Sequence, residues 1–379
     1  MGIFPGTTKV ERQRERLISD YQQYKEYSQS EELRRYEYLR KYLNSKEFKK
    51  NHSLKQEYDE LRKSKALKRY FKKKADENES AYQQYMDEFP SEELRRYEYL
   101  RRYLDSEEFK KNNLLKQEYD ELRKSKALKH YFKEKANESR FIPATIWKMK
   151  FEDDFTDERL NSDIWITRYY RGEKALNENY TLWGDLQCNT DGDNLSIANS
   201  ILSIETRQEK KKGISWNPLA GFIPCEFPYT SGIVSTAKSF RLRYGKVEAK
   251  MKVPGNKAAY HAFWLASEKA LPQINIFTYE QGRFYLGNFW GRLNEAGGAN
   301  RDVTAITGAF AGKSFIFSLE WTKDSLIWAI NGVTIKTMLF GIPAEPLYIA
   351  MASGVRGKRP LTTPVRFEID WIRYYQSND

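Results

Sequence analysis

Two hydrophobic rhythms divide the chain. Between residues 21 and 140, apolar positions recur at steps of three and four: Leu33, Tyr36, Leu39 and Leu43, then Leu54, Tyr58 and Leu61. Such steps place side chains on one face of a helix. The same set returns 61 residues later as Leu94, Tyr97, Leu100 and Leu104, then Leu115, Tyr119 and Leu122. Beyond residue 142 the period drops to two, as in Lys246-Val-Glu-Ala-Lys-Met-Lys-Val253 and Val365-Arg-Phe-Glu-Ile-Asp-Trp-Ile372. Alternation of that kind, in many short runs separated by Gly, Asn and Asp, predicts an antiparallel sandwich or barrel. Asn331-Gly332, between Leu326-Ile-Trp-Ala-Ile330 and Val333-Thr-Ile335, predicts a tight hairpin, because both turn positions favour positive φ.

The helical part is an internal duplication. Ser30 to Arg40 recurs as Ser91 to Arg101, Gln56 to Lys68 as Gln117 to Lys129, and Tyr21-Gln-Gln-Tyr24 as Tyr82 to Tyr85. Ser30, Ser45 and Ser64, with Ser91, Ser106 and Ser125, stand just before apolar runs, where a hydroxyl oxygen can accept from a free first-turn N–H. They predict three short capped helices per unit. The apolar stripes are narrow, so each unit is expected to need its twin or a partner to complete a core.

Composition sharpens the border. All nine Trp lie at or after Trp147, no Gly occurs between Gly6 and Gly172, and Pro90 is the only proline between Pro5 and Pro143. A helix tolerates frequent Gly and Pro poorly. The expected organisation is therefore a multidomain α plus all-β chain. A helical region spans 1–142, with repeats at about 21–80 and 82–140, and a β domain spans 143–379 after the linker Phe141-Ile-Pro-Ala-Thr145.

Charge changes the picture little. The net +12 divides as +8 for the first 140 residues (35 Lys+Arg against 27 Asp+Glu) and +4 for the rest (29 against 25). Tyr interleaved with Arg and Lys suits single-stranded nucleic acid. Its regular alternation with Glu is better read as a buried Tyr stripe flanked by solvated ion-pair ladders. Cys188 and Cys225 suffice for one bridge or two thiols, and spacing does not choose between them. His52, His130 and His261 form no Cys/His cluster in sequence, and no Gly-rich phosphate loop follows a strand.

The informative segment is Leu271-Pro-Gln-Ile-Asn-Ile-Phe-Thr-Tyr-Glu280. It resembles the catalytic strand of glycoside hydrolase family 16, the laminarinase and lichenase group of retaining β-glucanases, with its signature close to Pro-Glu-Ile-Asp-Ile-Phe-Glu. The resemblance runs over about residues 147–376, through Phe151-Glu152-Asp153-Asp154-Phe155, Gly184-Asp185-Leu186-Gln187, Tyr244 to Lys252, Ala262-Phe263-Trp264, Asn288-Phe289-Trp290-Gly291, Leu319-Glu320-Trp321 and Phe367 to Tyr375. It implies a concanavalin A-like β-jelly-roll of two sheets with a glycan cleft. It also implies that Gln273 stands at the nucleophile Glu, Asn275 at the assisting Asp and Thr278 at the acid/base Glu.

On a strand, residues two apart share a face, and a bulge returns a residue five positions on to that face. Retaining hydrolysis needs two carboxyl groups roughly 5–5.5 Å apart, one ionised and one protonated. Gln, Asn and Thr keep hydrogen bonding but supply no titratable acid. Glu280 is the only carboxylate near in sequence.

The sequence therefore reads as a non-catalytic member of that group, serving in carbohydrate binding or as a structural or assembly component, with the repeats mediating protein contact or self-association. The alternatives are an altered β-glucan hydrolase or transglycosylase working through Glu280, and a nucleic-acid-associated protein working through the basic arm. Tyr260, Trp264, Gln273, Asn275, Glu280, Phe289, Trp290 and Trp183 are the carbohydrate-binding candidates. No cofactor is expected beyond a structural calcium that the resemblance implies, for which Asp153 and Asp370 are the candidates. The first sixteen residues contain no apolar core of signal-peptide length. This predicts cytoplasmic synthesis and, together with the lost acids and the repeats, a place in a phage particle or another large assembly.

Overall fold

The computed structural model describes residues 4–75, 91–170, 179–217, 219–269, 271–291, 299–357, 361–362 and 364–377. The chain forms two compact units, Leu17–Ile142 and a β unit that joins the amino-terminal residues through Arg16 to Pro143–Asp379. The helix Thr7–Ser28 contributes residues to both.

In the helical unit, Glu31–Leu43, Lys46–Leu61 and Lys65–Ala75 are followed 61 residues on by Ser91–Leu104, Glu107–Leu122 and Lys126–Ala136. Side-chain oxygens of Ser30, Ser45, Ser64, Ser106 and Ser125 accept from the N–H three residues on, satisfying first-turn donors. The side chain of Ser91 lies outside the described residues, as does the stretch 76–90. Within each unit, Leu33, Leu39, Leu67 and Tyr70, or Leu100, Leu128 and Tyr131, are buried.

In the β unit, one antiparallel sheet has the order Val333–Met338, Leu326–Ile330, Ser314–Trp321, Gly245–Lys252, Val365–Ser377, Ile201–Thr206 and Leu195–Ala198, with Trp147–Asp153 also pairing to Val365–Ser377. The other has the order Ala299–Thr307, Arg283–Gly291, Gln273–Glu280, Ala259–Ala266, Tyr348–Val355 and Ile233–Ser235. The period-two pattern is explained by the core that both sheets share. Val247, Ala249, Met251, Phe317, Leu319 and Phe367 point into it from the first sheet, and Phe263, Leu265, Ile274 and Phe277 from the second. Full burial of each of these Val, Leu, Ile, Met and Phe side chains contributes roughly 1.5–3 kcal/mol. Asn331 and Gly332 adopt φ of 48° and 77°, the left-handed values that their hairpin turn requires.

The amino-terminal segment belongs to the β unit because it supplies partners that the sheet lacks. Phe4 packs on Phe310 at 5.7 Å between centroids, and Asn331 Nδ2 donates to Pro5 O at 2.8 Å. Glu248 lies on the outer face of its strand yet is buried, held by Lys246 at 2.6 Å and by Arg14. Burial alone would raise its pKa, but the Lys246 and Arg14 charges outweigh that and hold it below the usual carboxylate range.

Candidate functional site

Strand Gln273–Glu280 positions the site. Its accessibility alternates through Asn275, then Ile276 and Phe277 are both buried, and alternation resumes at Thr278. The pairing register to the neighbouring strand slips at the same place: Trp264 faces Asn275 and Phe263 faces Phe277, which leaves Ile276 as the extra residue. Ile276 and Phe277 both enter the core, so the bulge turns Thr278 back onto the face that carries Gln273 and Asn275. Trp328 Nε1, from the buried opposite sheet, donates to Asn275 O at 2.9 Å and pins the strand there.

The three side chains form one hydrogen-bonded row. Gln273 Nε2 donates to Asn275 Oδ1 at 2.7 Å, and Asn275 Nδ2 donates to Thr278 Oγ1 at 3.1 Å. They line a pocket of about 130 Å³ with Tyr260, Trp264, Tyr348 and Arg356 among its other walls. Tyr260, Ala262, Trp264 and Ala266 alternate along one strand to form one wall, as period two requires. Among the described residues, no Asp or Glu lines the pocket.

A carboxylate does stand behind the wall. Asp185, buried, accepts from Tyr260 Oη at 2.7 Å and from Gln187 Nε2 at 3.1 Å, and pairs with Arg356 Nε at 2.6 Å. The Arg356 guanidinium lies 4.3 Å from the Tyr260 ring centroid. Burial, then the Asp185 charge, pushes the Tyr260 hydroxyl well above its ordinary pKa, so it remains a neutral donor. Burial works against the Arg356 charge, but Tyr260 and Asp185 outweigh it and raise that pKa too. With its oxygens engaged by an arginine, a phenol and an amide, Asp185 acts as a fastener of the wall. Gly354 makes this packing possible: a Cβ there would sit 2.5 Å from Gln187 Nε2 and 2.6 Å from the Tyr260 ring.

The other candidates are scattered. Phe289 pairs across from Gln273 and so shares its face, outside the pocket lining. Trp290, next along, turns to the other side, packing on the main core and edge-on to Phe340 at 5.8 Å. Glu280 ends its strand and does not line the pocket. Trp183 is 59% exposed, while its neighbour Leu182 is the pocket residue. Asp185, Gln187 and Arg356 escaped the sequence reading as site residues. The signal was present in Gly184-Asp185-Leu186-Gln187, but nothing local marks Arg356 as its partner 171 positions away.

The two acids implied for calcium do not fit that ion. Asp153 accepts from Phe155 N at 2.9 Å and Trp165 Nε1 at 2.7 Å, and Asp370 already holds the Lys250 ammonium at 2.8 Å. A lysine beside Asp370 supplies the positive charge that a cation would bring. Among the described residues, no group of three or more His, Cys, Asp or Glu side chains is placed to hold a metal. Cys188 and Cys225 are free thiols, and burial raises the Cys188 pKa. Among the described residues, no helix is long and apolar enough to cross a membrane.

Comparison with known proteins assigns the family and the fold. The model for glycosyl hydrolases family 16 matches residues 182–373. The glucan endo-1,3-beta-glucosidase A1 of Niallia circulans is 22% identical over 60% of this chain and 37% of its own length. A beta-1,3-glucan-binding protein of Penaeus monodon is 25% identical over 28% of this chain and 34% of its own. The chain thus spans well under two thirds of these relatives. In fold, it is similar to the laminarinase catalytic domain from Thermotoga maritima MSB8, with TM-score 0.50, 22% identity, and 62% of this chain and 100% of that one covered. The laminarinase from Rhodothermus marinus gives TM-score 0.50 and 17% identity over 62% and 98%.

Proposed function

The chain belongs to the glycosyl hydrolases of family 16, and from that premise we propose that its β unit binds a β-glucan or related polysaccharide without cleaving it. The observation that carries this reading is the row Gln273–Asn275–Thr278, three neutral side chains hydrogen-bonded to one another on the pocket face. A retaining cleavage needs an ionised carboxylate to attack and a carboxylic acid to protonate the leaving oxygen. Amides and a hydroxyl offer neither, yet they donate and accept hydrogen bonds to sugar hydroxyls. The Trp264 and Tyr260 wall adds apolar and aromatic surface beside them. Ligand names among the relatives, a glucan-binding protein and glucan-cleaving enzymes, point to the same class of polysaccharide.

The test is hydrolysis. The native chain is expected to release no reducing ends from laminarin or mixed-linkage glucan. Gln273→Glu/Asn275→Asp/Thr278→Glu, which restores three acids on one face, is expected to gain measurable cleavage. Activity in the native chain that Glu280→Gln abolishes would replace this reading with an altered hydrolase.

A further inference from the structure

The two repeats of the helical unit are not two small domains side by side. The buried pair Leu67 and Tyr70, from the third helix of the first repeat, packs with Leu94 and Tyr97 from the first helix of the second. The reciprocal cluster joins Leu33 and Tyr36 of the first repeat to Leu128 and Tyr131 of the second. For these four residues, adding 61 to the numbers of the first repeat and subtracting it from those of the second converts one cluster into the other. Each core is therefore shared, with the first helix of one repeat completed by the third helix of its twin.

The polar contacts obey the same exchange. Arg35 makes a two-pronged pair with Glu118 at 2.6 and 2.7 Å, and Arg96 makes the equivalent pair with Glu57 at 2.6 and 2.7 Å. Tyr36 stacks on Tyr119 at 5.2 Å, and Tyr58 stacks on Tyr97 at 5.2 Å. Tyr42 donates to the buried Asn112, and Tyr103 donates to the buried Asn51. Phe132 meets Tyr36 edge-on at 5.6 Å, and Phe71 meets Tyr97 at 5.4 Å. In every case residue i of one repeat meets residue j of the other, and j meets i. That reciprocity defines a two-fold, self-complementary interface of the kind formed by homodimers.

We propose that the 61-residue unit is a self-pairing module, whose surface recognises a second copy of the same unit. Within one chain the twin repeats satisfy each other, and the same surface can pair repeats from two chains when internal closure is prevented. The residues that make the contact are identical in both repeats: Arg35 and Arg96, Tyr36 and Tyr97, Tyr42 and Tyr103, Asn51 and Asn112, Glu57 and Glu118, Tyr58 and Tyr119. At these positions a first repeat is as complementary to another first repeat as to a second one; Tyr27, which packs on Tyr131, is outside this set, because its counterpart in sequence is Glu88. Exchange of equivalent elements between chains needs no new contact.

The full chain offers a direct test. Arg35→Glu with Glu57→Arg sets like charges against each other in both internal pairs: the new carboxylate at position 35 faces Glu118, and the new guanidinium at position 57 faces Arg96. Between two such chains the altered repeats match each other, and so do the two unaltered ones. Light scattering across a concentration series is expected to give this variant twice the mass of the native chain. Adding Arg96→Glu and Glu118→Arg restores internal complementarity and is expected to return the mass to the native value. A double variant with the native mass, whether or not its helices persist, overturns the proposal. So does a fourfold variant that remains at twice that mass.

Discussion

The helical unit and the β unit achieve order by different means. In the β unit, two sheets bury a continuous core of large apolar side chains, among them Phe263, Phe277, Phe317, Phe367 and Trp328. In the helical unit the buried clusters are small and contain tyrosines, whose hydroxyls meet partners: Tyr36 and Tyr119 at 3.4 Å, Tyr58 and Tyr97 at 3.4 Å. The β unit draws its stability from area, and its surface is left available for a pocket. The helical unit uses its tyrosines, buried asparagines and bidentate ion pairs on itself. A narrow apolar stripe is supplemented there by specific polar pairs across the repeats, although Tyr27 Oη, Asn51 Nδ2 and Asn112 Nδ2 are buried without a hydrogen-bond partner among the described residues.

A core truncation distinguishes the two units most strongly. Phe277→Ala, at a fully buried position between the sheets, is expected to cost about 3–5 kcal/mol in the β unit. The unfolding transition of the helical unit should stay in place. A single loss common to both units would show that their stabilities are not separable.

The next effect is a pH dependence confined to the β unit. His261 is fully buried, its Nδ1 within 2.9 Å of Ser353 Oγ, and burial lowers its pKa to about 3. The unfolded chain, with a pKa near 6.5, binds a proton that the folded chain refuses. Stability contributed by the neutral ring is therefore complete above about pH 6.5 and falls as pH drops toward 3. At pH 5 the loss is about 2 kcal/mol. Urea titrations at pH 8 and pH 5 should show that difference in the native chain and a much flatter response in His261→Gln; equal slopes in both would remove His261 from the account.

Exposed pairs in the helical unit mark the small end. Arg35 and Glu118 are 44% and 40% exposed, so Arg35→Ala is expected to cost only about 0.2–1 kcal/mol. Its value lies in pairing specificity rather than stability. A loss several times larger would mean that the ion pair is carrying part of the core.

Local chemistry was legible in the sequence, whereas long-range assignment was not. The serine caps, the Asn331-Gly332 turn and the single face of Gln273, Asn275 and Thr278 follow from interactions within a few residues. Period two, interrupted by Ile276-Phe277, is enough to place the bulge. By contrast, Glu11 lies 3.3 Å from Lys250 and Arg14 neutralises Glu248. Nothing near them in sequence announces a partner more than two hundred residues away. Trp290 and Phe289 are adjacent aromatics of the same appearance, and only the strand pairing shows that one faces the core and the other the side of Gln273. The fastener Asp185–Arg356–Tyr260 was hidden for the same reason.

The proposed binding of β-glucan without cleavage is decided by calorimetric titration of the full chain. The ligands are laminarin and mixed-linkage β-glucan oligosaccharides, with Trp264→Ala titrated alongside and its fold checked by melting. Saturable binding that is unchanged between pH 6 and 8, and at least tenfold weaker in the variant, about 1.4 kcal/mol, is the predicted result. No heat of binding with any of these glucans, or binding that Trp264→Ala leaves intact, would contradict it.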